Sequence, residues 1–517
     1  MPFALAPLSA DYIRTLGEGF NFRYTLYSDF PQRVRARVWN GYAYFAVAHN
    51  APDEEWPDIT KRWQATMHRQ VEVTEAWWRD EALPEIRQLE AGIRTIPVED
   101  LAPAALADAW DRAWAATLRM WELHFVAIGG PYTAVEELAD FYEALIPDAP
   151  PGEALRLIGG AANELVDVEI GVEGLASIAR AHPEIERALT MTTPTAPGPR
   201  GAVTVDDLAS LDGGATFLAA LDTFLERHGH LGQAFDDLAQ VSWGNEPGIV
   251  LAQVGHHLMS PPEAAEARRR RLRAEADALA EAVRARLASE PDKAAEFERL
   301  LAYGRAIGPL TEVHNYWIDR LVQARIRTLA MRVGRRLVAN GSLDAPEDIL
   351  FLFRDEVRAE IERPTDRRPV IATRRAELAR WATLSPPMIL GVDPGKRDLD
   401  RFDGERVPSD DPRTLRGTGA SAGIVRGPAR VTLAPADFAS VQPGDIIVCP
   451  SSNPSWVPVF TTAGGLVTNT GGVLSHAAVV AREFGLAAVV GIEHATTRIP
   501  DGALVEIDGT LGTVRLL

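Results

Sequence analysis

The stretch of this 517-residue chain with the most chemical potential runs from Thr468 to Gly491, TNTGGVLSHAAVVAREFGLAAVVG. The apolar segment GLVTN reads as a strand ending at Gly471-Gly472, and a helix is expected to begin near Ser475 and His476. In a strand–turn–helix of this kind, backbone N–H groups and the positive end of the helix dipole meet at the His476 imidazole. A phosphoryl group on a histidine nitrogen needs such surroundings, because it carries close to two negative charges and must be stabilised without being locked in place. Gly471 and Gly472 let the backbone approach closely. Ser475 can cap the helix or bond a phosphoryl oxygen, and Arg482, a turn and a half further on, can pair with Glu483 or steady the phosphate. A histidine at a helix start is, taken alone, more often structural than catalytic; the whole string singles this one out.

The elements that must position the string lie in residues 414–517. Short apolar runs separated by glycine turns (AGIVRGPARVTL, GDIIVCP, GLVTN, AAVVGI, ALVEIDG, TVRLL) alternate there with helical stretches, which predicts a small α/β domain. Residues 384–413 include SPPMILGVDPGKRDLDRFDGERVPSDDP, dense in Pro, Gly and Asp and without sustained periodicity, and read as a flexible linker. Residues 1–383 read as mainly helical: LADAWDRAWAATLRMWELHFVAI and PEAAEARRRRLRAEADALAEAVRARLASEPDKAAEFERLL carry apolar residues at helical spacing, the second broken near SEPDK. Within that region FNFRYTLYSDF and VRARVWNGYAYFAV, rich in aromatic and β-branched residues, look like strands or extended arms.

Composition bounds the function. A formal charge of −19 argues against a nucleic-acid partner, whose phosphates demand a basic face. No apolar run approaches the length of a membrane helix and the first residues lack a basic signal-type segment, so a cytoplasmic protein without membrane contact is expected. The one cysteine, Cys449, rules out an internal disulfide and a multi-thiolate metal site, and reads as a buried strand residue. From Arg413 onward seven arginines balance seven acids, so the acidity lies in the earlier part of the chain.

The string from Gly471 to Gly491 resembles the phosphoenolpyruvate-utilising enzymes and their relatives, among them phosphoenolpyruvate synthase, pyruvate phosphate dikinase, rifampin phosphotransferase and phenylphosphate synthase. Their mobile domain carries a GG-x-x-SHxAxxAREx-G-x-x-A-V-V-G signature. Gly419–Gly427, Asn453–Pro458, Asp501-Gly502 and Asp508–Gly512 match the domain's opening turn, the segment before the histidine and the closing hairpins. The resemblance implies a multidomain protein: a large, mostly α-helical substrate-binding-like domain (1–383), the linker, and a small α/β swivelling phosphohistidine domain (414–517). It makes His476 the phosphoryl carrier. Leu474 stands where the dikinase branch has threonine, so that branch's threonine-based regulation is not expected. No glycine-rich nucleotide loop precedes the helices and little chain follows Asp508, so ATP and Mg2+ are expected on a separate ATP-grasp subunit, as in phenylphosphate synthase.

The helical region resembles, more diffusely, the substrate-binding domain of rifampin phosphotransferase in VWNGYAYF, FLERHGHLGQAFDDLAQVSWGNEP and RVGRRLVANGSLDAPEDILFLFRDEV. The family's GHRG is here Gly229-His230-Leu231-Gly232, without the arginine. The segment Thr311-Glu312-Val-His314-Asn315-Tyr-Trp-Ile-Asp319 keeps the family's Glu while Thr311 and Asn315 replace basic residues, which implies a different acceptor or binding mode. An α-helix would put Glu312, Asn315 and Asp319 on one face. Transfer from phosphohistidine to a hydroxyl needs a base and a donor set for the moving phosphoryl. Glu312 and His314 are the candidate bases, with His230, Asn315, Asp319, Trp121 and His124 as candidate substrate contacts; interhelix hydrogen bonds and core packing are the plainer roles for the same residues. His256-His257 point in different directions on a helix, and no metal site is expected in this chain.

The reading is a phosphotransferase component: His476 takes a phosphoryl group from an ATP-grasp partner and passes it to a small phenol, alcohol or natural-product hydroxyl. A non-catalytic phosphocarrier or regulatory binding protein, and an enzyme that phosphorylates a hydroxyl to eliminate it, are the alternatives.

Overall fold

The computed structural model describes residues 4–26, 32–49, 52–150, 152–191, 203–232, 237–259, 264–384, 386, 390, 411, 413–433, 437, 440–451, 457–460, 463–472 and 475–517. They divide into two compact units, residues 1–133 with 234–241 and 314–397, and residues 134–233 with 242–313 and 398–517. The expected linker falls largely outside the described residues, as do Asn453–Trp456 of the segment matched to the one before the histidine.

In the first unit the helix Pro7–Asn21 packs on the helix Pro103–Ala127. They approach closely because Gly19 has no side chain: a Cβ there would lie 2.5 Å from that of Trp121. The expectation of strands over FNFRYTLYSDF is overturned where the residues are described, for Phe20 and Asn21 finish this helix and Arg23–Leu26 form a further helical turn. The aromatic residues serve packing instead: Phe20 meets Phe125 edge-to-face at 4.9 Å, and the Arg23 guanidinium lies over both rings. The second segment does form strands, β1 (Gln32–Trp39) and β2 (Tyr42–His49), an antiparallel hairpin. Asn40 and Gly41 turn it with φ of 51° and 77°, the paired positive values that suit a two-residue hairpin loop. Further on, His314, the π-helical segment Asn315–Arg320 and the helix Leu321–Ala339 succeed one another.

The helices of the second unit include Glu164–Ala181, capped by Asn163, whose side chain accepts from the backbone N–H groups of Leu165 and Val166. They also include Ala265–Arg286 and Pro291–Ile307, separated by residues 287–290. The unit then holds strands β3 (Thr414–Arg416), β4 (Thr418–Ser421), β5 (Ile424–Val431), β6 (Ile446–Cys449), β7 (Gly465–Thr468), β8 (Ala487–Val490), β9 (Leu504–Asp508) and β10 (Thr513–Leu516). They form one sheet in the order β3-β10-β9-β5-β6-β7-β8-β4. Strands β5 to β8 run parallel, and the remaining neighbours pair antiparallel.

Every residue of β6, β7 and β8 is buried, the signature of parallel strands covered on both faces. Alternate side chains divide between two cores: Ile447, Cys449, Leu466 and Ala488 on one side, Ile446, Val448, Val467 and Val489 on the other. The helix His476–Phe484 covers the first core with Ala477, Ala478, Val480 and Ala481, small enough to bring it close to the sheet. Gly485, at φ 66°, ends it: Leu486 N–H donates to Ala481 O and Gly485 N–H to Arg482 O, the paired bonds of a Schellman cap.

Candidate functional site

His476 occupies the first position of its helix, so its backbone sits where the N–H groups have no partner within the helix. The loop before it is held from beneath. Asn469 N–H donates to Cys449 O, and the Asn469 amide both donates to Thr496 Oγ1 and accepts from Thr496 N–H, each at 2.9 Å. Thr468 Oγ1 donates to Thr470 O at 2.7 Å. The loop therefore leaves β7 on a fixed path and delivers Gly471 and Gly472 to the helix start.

These two glycines do different work. Gly471 has a φ of 126°, and a Cβ there would lie 2.8 Å from Ser475 Oγ, so both conformation and space demand glycine. At Gly472 no described atom lies within 4 Å of an added Cβ, and the residue is exposed. Among the described residues nothing requires glycine at 472, and none of them fills the space beside it. Ser475 is extended at the cap position, yet its hydroxyl makes no capping bond. Its Oγ is buried without a hydrogen-bond partner among the described residues. Arg482 donates from Nη1 to the Ala420 carbonyl at 2.9 Å, tying the helix to β4.

The helical candidates are divided between the two units. Glu312 and His230 belong to the second, both buried, at 4% and 6% exposure. On either side of Glu312 in sequence, Leu310 and Val313 line a cavity of about 400 Å3, into whose wall Arg269, Arg273 and Arg305 also enter. Burial, with repulsion from Arg273, lowers the Arg305 pKa against the pull of Asp277, its ion-pair partner at 2.8 Å.

Trp121, His124, His314, Asn315 and Asp319 belong to the first unit. The shared face expected of Glu312, Asn315 and Asp319 assumed α geometry, and the segment Asn315–Arg320 is π-helical. In an α-helix residues five apart point about 140° away from each other, whereas a π-turn, bonded i to i+5, brings them together. It is His314, five residues before Asp319, that joins it. His124 Nδ1 donates to Asp319 Oδ1 at 2.6 Å, and the His124 and His314 rings meet edge-to-face at 4.7 Å. Burial raises the Asp319 carboxyl, but His124, His314 and Arg320 outweigh it and hold its pKa below the ordinary value. Trp121, almost fully buried, packs edge-on against both Tyr12 and His124. Each of these residues stands out in the sequence separately, but their meeting does not: His124 and Asp319 are 195 positions apart.

Two family profiles match this chain. Residues 441–512 match the PEP-utilising enzyme mobile domain, and residues 128–312 the fourth domain of rifampicin phosphotransferase. Among curated proteins, chondramide synthase cmdD of Chondromyces crocatus is 31% identical across 97% of this chain, which corresponds to 13% of that protein. A rifampicin phosphotransferase of Streptomyces sp is 33% identical over 76% of this chain and 44% of its own length. The uncharacterized phosphotransferase YvkC of Bacillus subtilis is 28% identical over 60% of this chain and 38% of its own. The chain thus spans less than half the length of each of these relatives. No helix among the described residues is long and apolar enough to cross a membrane. The glycine-led histidine helix thus falls within the match to the PEP-utilising enzyme mobile domain at residues 441–512, and part of the helical region within the match to the rifampicin phosphotransferase fourth domain at residues 128–312.

Proposed function

We propose that this chain is a phosphotransferase component in which His476 accepts a phosphoryl group and passes it to a small hydroxyl-bearing molecule. The observation that carries the reading is the start of the histidine helix, where no described residue fills the space beside Gly472 and the buried Ser475 hydroxyl lacks a partner among the described residues. Backbone N–H groups at that helix start supply the positive end of a dipole to the same place. Gly471, Gly472 and Ser475 then cradle the phosphoryl oxygens, while Arg482 fixes the helix against β4. We place the nucleotide half-reaction, with ATP and Mg2+, on a separate ATP-grasp subunit. The acceptor, a phenol, an alcohol or a natural-product hydroxyl, is assigned to the helical region, where a cavity of about 400 Å3 has room for a small molecule. Glu312, on the turn bordering that cavity, is the candidate base for the hydroxyl proton.

The test is phosphopeptide mass analysis after incubation of wild-type and His476→Ala protein with ATP, Mg2+ and an ATP-grasp preparation. An acid-labile, base-stable phosphate on the His476 peptide, absent from the variant, supports the relay. Label that survives the substitution, or no label with any ATP-grasp donor, removes it and leaves a binding role.

A further inference from the structure

His124, His314 and Asp319 come together in the first unit although the phosphoryl relay gives them no role. One ligand atom from each can be chosen so that all lie within 4.8 Å of one another. Around a tetrahedral ion with bonds near 2.1 Å, ligand atoms stand roughly 3.4 Å apart. His124 Nδ1 and Asp319 Oδ1 stand closer than that, at 2.6 Å, as a hydrogen-bonded pair does, and would release the shared proton and separate as an ion enters between them. The group is interior, with His314 at 3% and Asp319 at 1% exposure, and His124 is the member that reaches toward solvent.

The backbone supplies a second, independent sign. The π-helical segment Asn315–Arg320 interrupts helical regularity where its fifth residue is Asp319. π-turns inside helices recur at functional sites, and this one sets the five-residue step from His314 to Asp319. A regular α-helix would separate those side chains by about 140°. Trp121 and Phe125 stand edge-on to the His124 ring and form an apolar wall beside it, the kind of surround that limits water at an ion.

We infer that His124, His314 and Asp319 bind a divalent first-row transition ion of the Zn2+ class. Two imidazoles and one carboxylate are borderline donors suited to Zn2+, Co2+ or Fe2+, and unlike the all-oxygen sets preferred by Mg2+ and Ca2+. Three protein ligands leave a fourth position for water or a ligand oxygen, as in open rather than closed structural sites. The assignment stands apart from the phosphoryl relay, since it needs neither His476 nor a nucleotide.

The full-length chain, stripped with a chelator and dialysed, is titrated with Co2+ and with Zn2+. Calorimetry reads stoichiometry and affinity, and the visible Co2+ spectrum reads coordination. The expected result is one ion per chain, an intense four- or five-coordinate Co2+ spectrum, and binding at least ~10-fold weaker in Asp319→Asn and in His124→Ala. Far-UV circular dichroism checks that each variant is folded, and His124→Asn replaces the alanine variant if that one is not. His494→Asn, an exposed histidine outside the group, serves as the control and should bind as wild type. Absence of a stoichiometric ion in the wild type overturns the inference, and so does binding that Asp319→Asn and the His124 variant leave unchanged.

Discussion

Gly471 and Gly472 adjoin each other and match one motif, yet the structure predicts opposite consequences for replacing them. At Gly471, alanine meets both a φ of 126° and a contact of 2.8 Å with Ser475 Oγ. A non-glycine residue held in that region costs on the order of 1–3 kcal/mol. The Ser475 contact adds to it, because Ser475 Cβ would also stand 3.2 Å away. A total of roughly 2–4 kcal/mol in a domain of this size lowers its unfolding temperature by about 10–20 °C. Gly472→Ala meets no described atom within 4 Å and has no positive φ, so its stability should stay within about 0.5 kcal/mol of wild type. Its methyl group instead enters the space proposed for the phosphoryl group, and labelling of His476 should slow by at least about 10-fold. Scanning calorimetry and the rate of phosphohistidine formation read the two effects separately. Equal unfolding temperatures for the two variants would refute the steric role of Gly471, and a Gly472→Ala protein labelled at the wild-type rate would refute the assignment of the open space.

Other outcomes rest on the same geometry. Arg482→Leu removes a charged donor from the Ala420 carbonyl and should destabilise the α/β domain by about 1.5–3 kcal/mol in urea unfolding. Glu312→Gln should leave acceptance of phosphate by His476 intact while slowing its discharge to an acceptor by about 10²–10⁴-fold, so the phosphorylated form accumulates in a quench-flow experiment. Burial raises the Glu169 pKa from 4.5 to about 7 against the pull of Arg268, so the folded state holds a proton that the unfolded state releases. That contribution is complete below about pH 4.5 and is lost as the pH rises through 7, and Glu169→Gln should flatten the decline in stability measured by denaturant titration at pH 5 and pH 7.

The α/β domain was legible because its signals are local. Runs such as IIVC and AAVV are continuous rather than alternating, as strands buried on both faces must be, and glycine pairs mark the turns between them. The first unit was less so. Phe20 and Arg23 sit in a segment of strand-like propensity, but the contact with Phe125 on a helix more than a hundred residues away decides their conformation. Likewise His124 and Asp319 were each visible as candidates, while their hydrogen bond depends on the docking of two distant helices and on a π-turn that no residue pattern announces. Helical phase counted at 3.6 residues per turn groups Glu312, Asn315 and Asp319; the observed backbone substitutes His314.

The sulfur of Cys449 has a use that its burial makes possible. It is the single thiol in 517 residues, wholly inaccessible at the end of β6, and burial pushes its pKa up, so the folded domain offers no thiolate to a reagent. Alkylation can proceed only from molecules in which the strand has transiently opened, and its rate therefore counts those openings. Because β6 abuts β7, which leads directly into the histidine loop, the same label read with and without the proposed phosphate on His476 measures whether modification changes how often the strand opens. No engineered probe is required: the native chain carries its own reporter of the proposed modification.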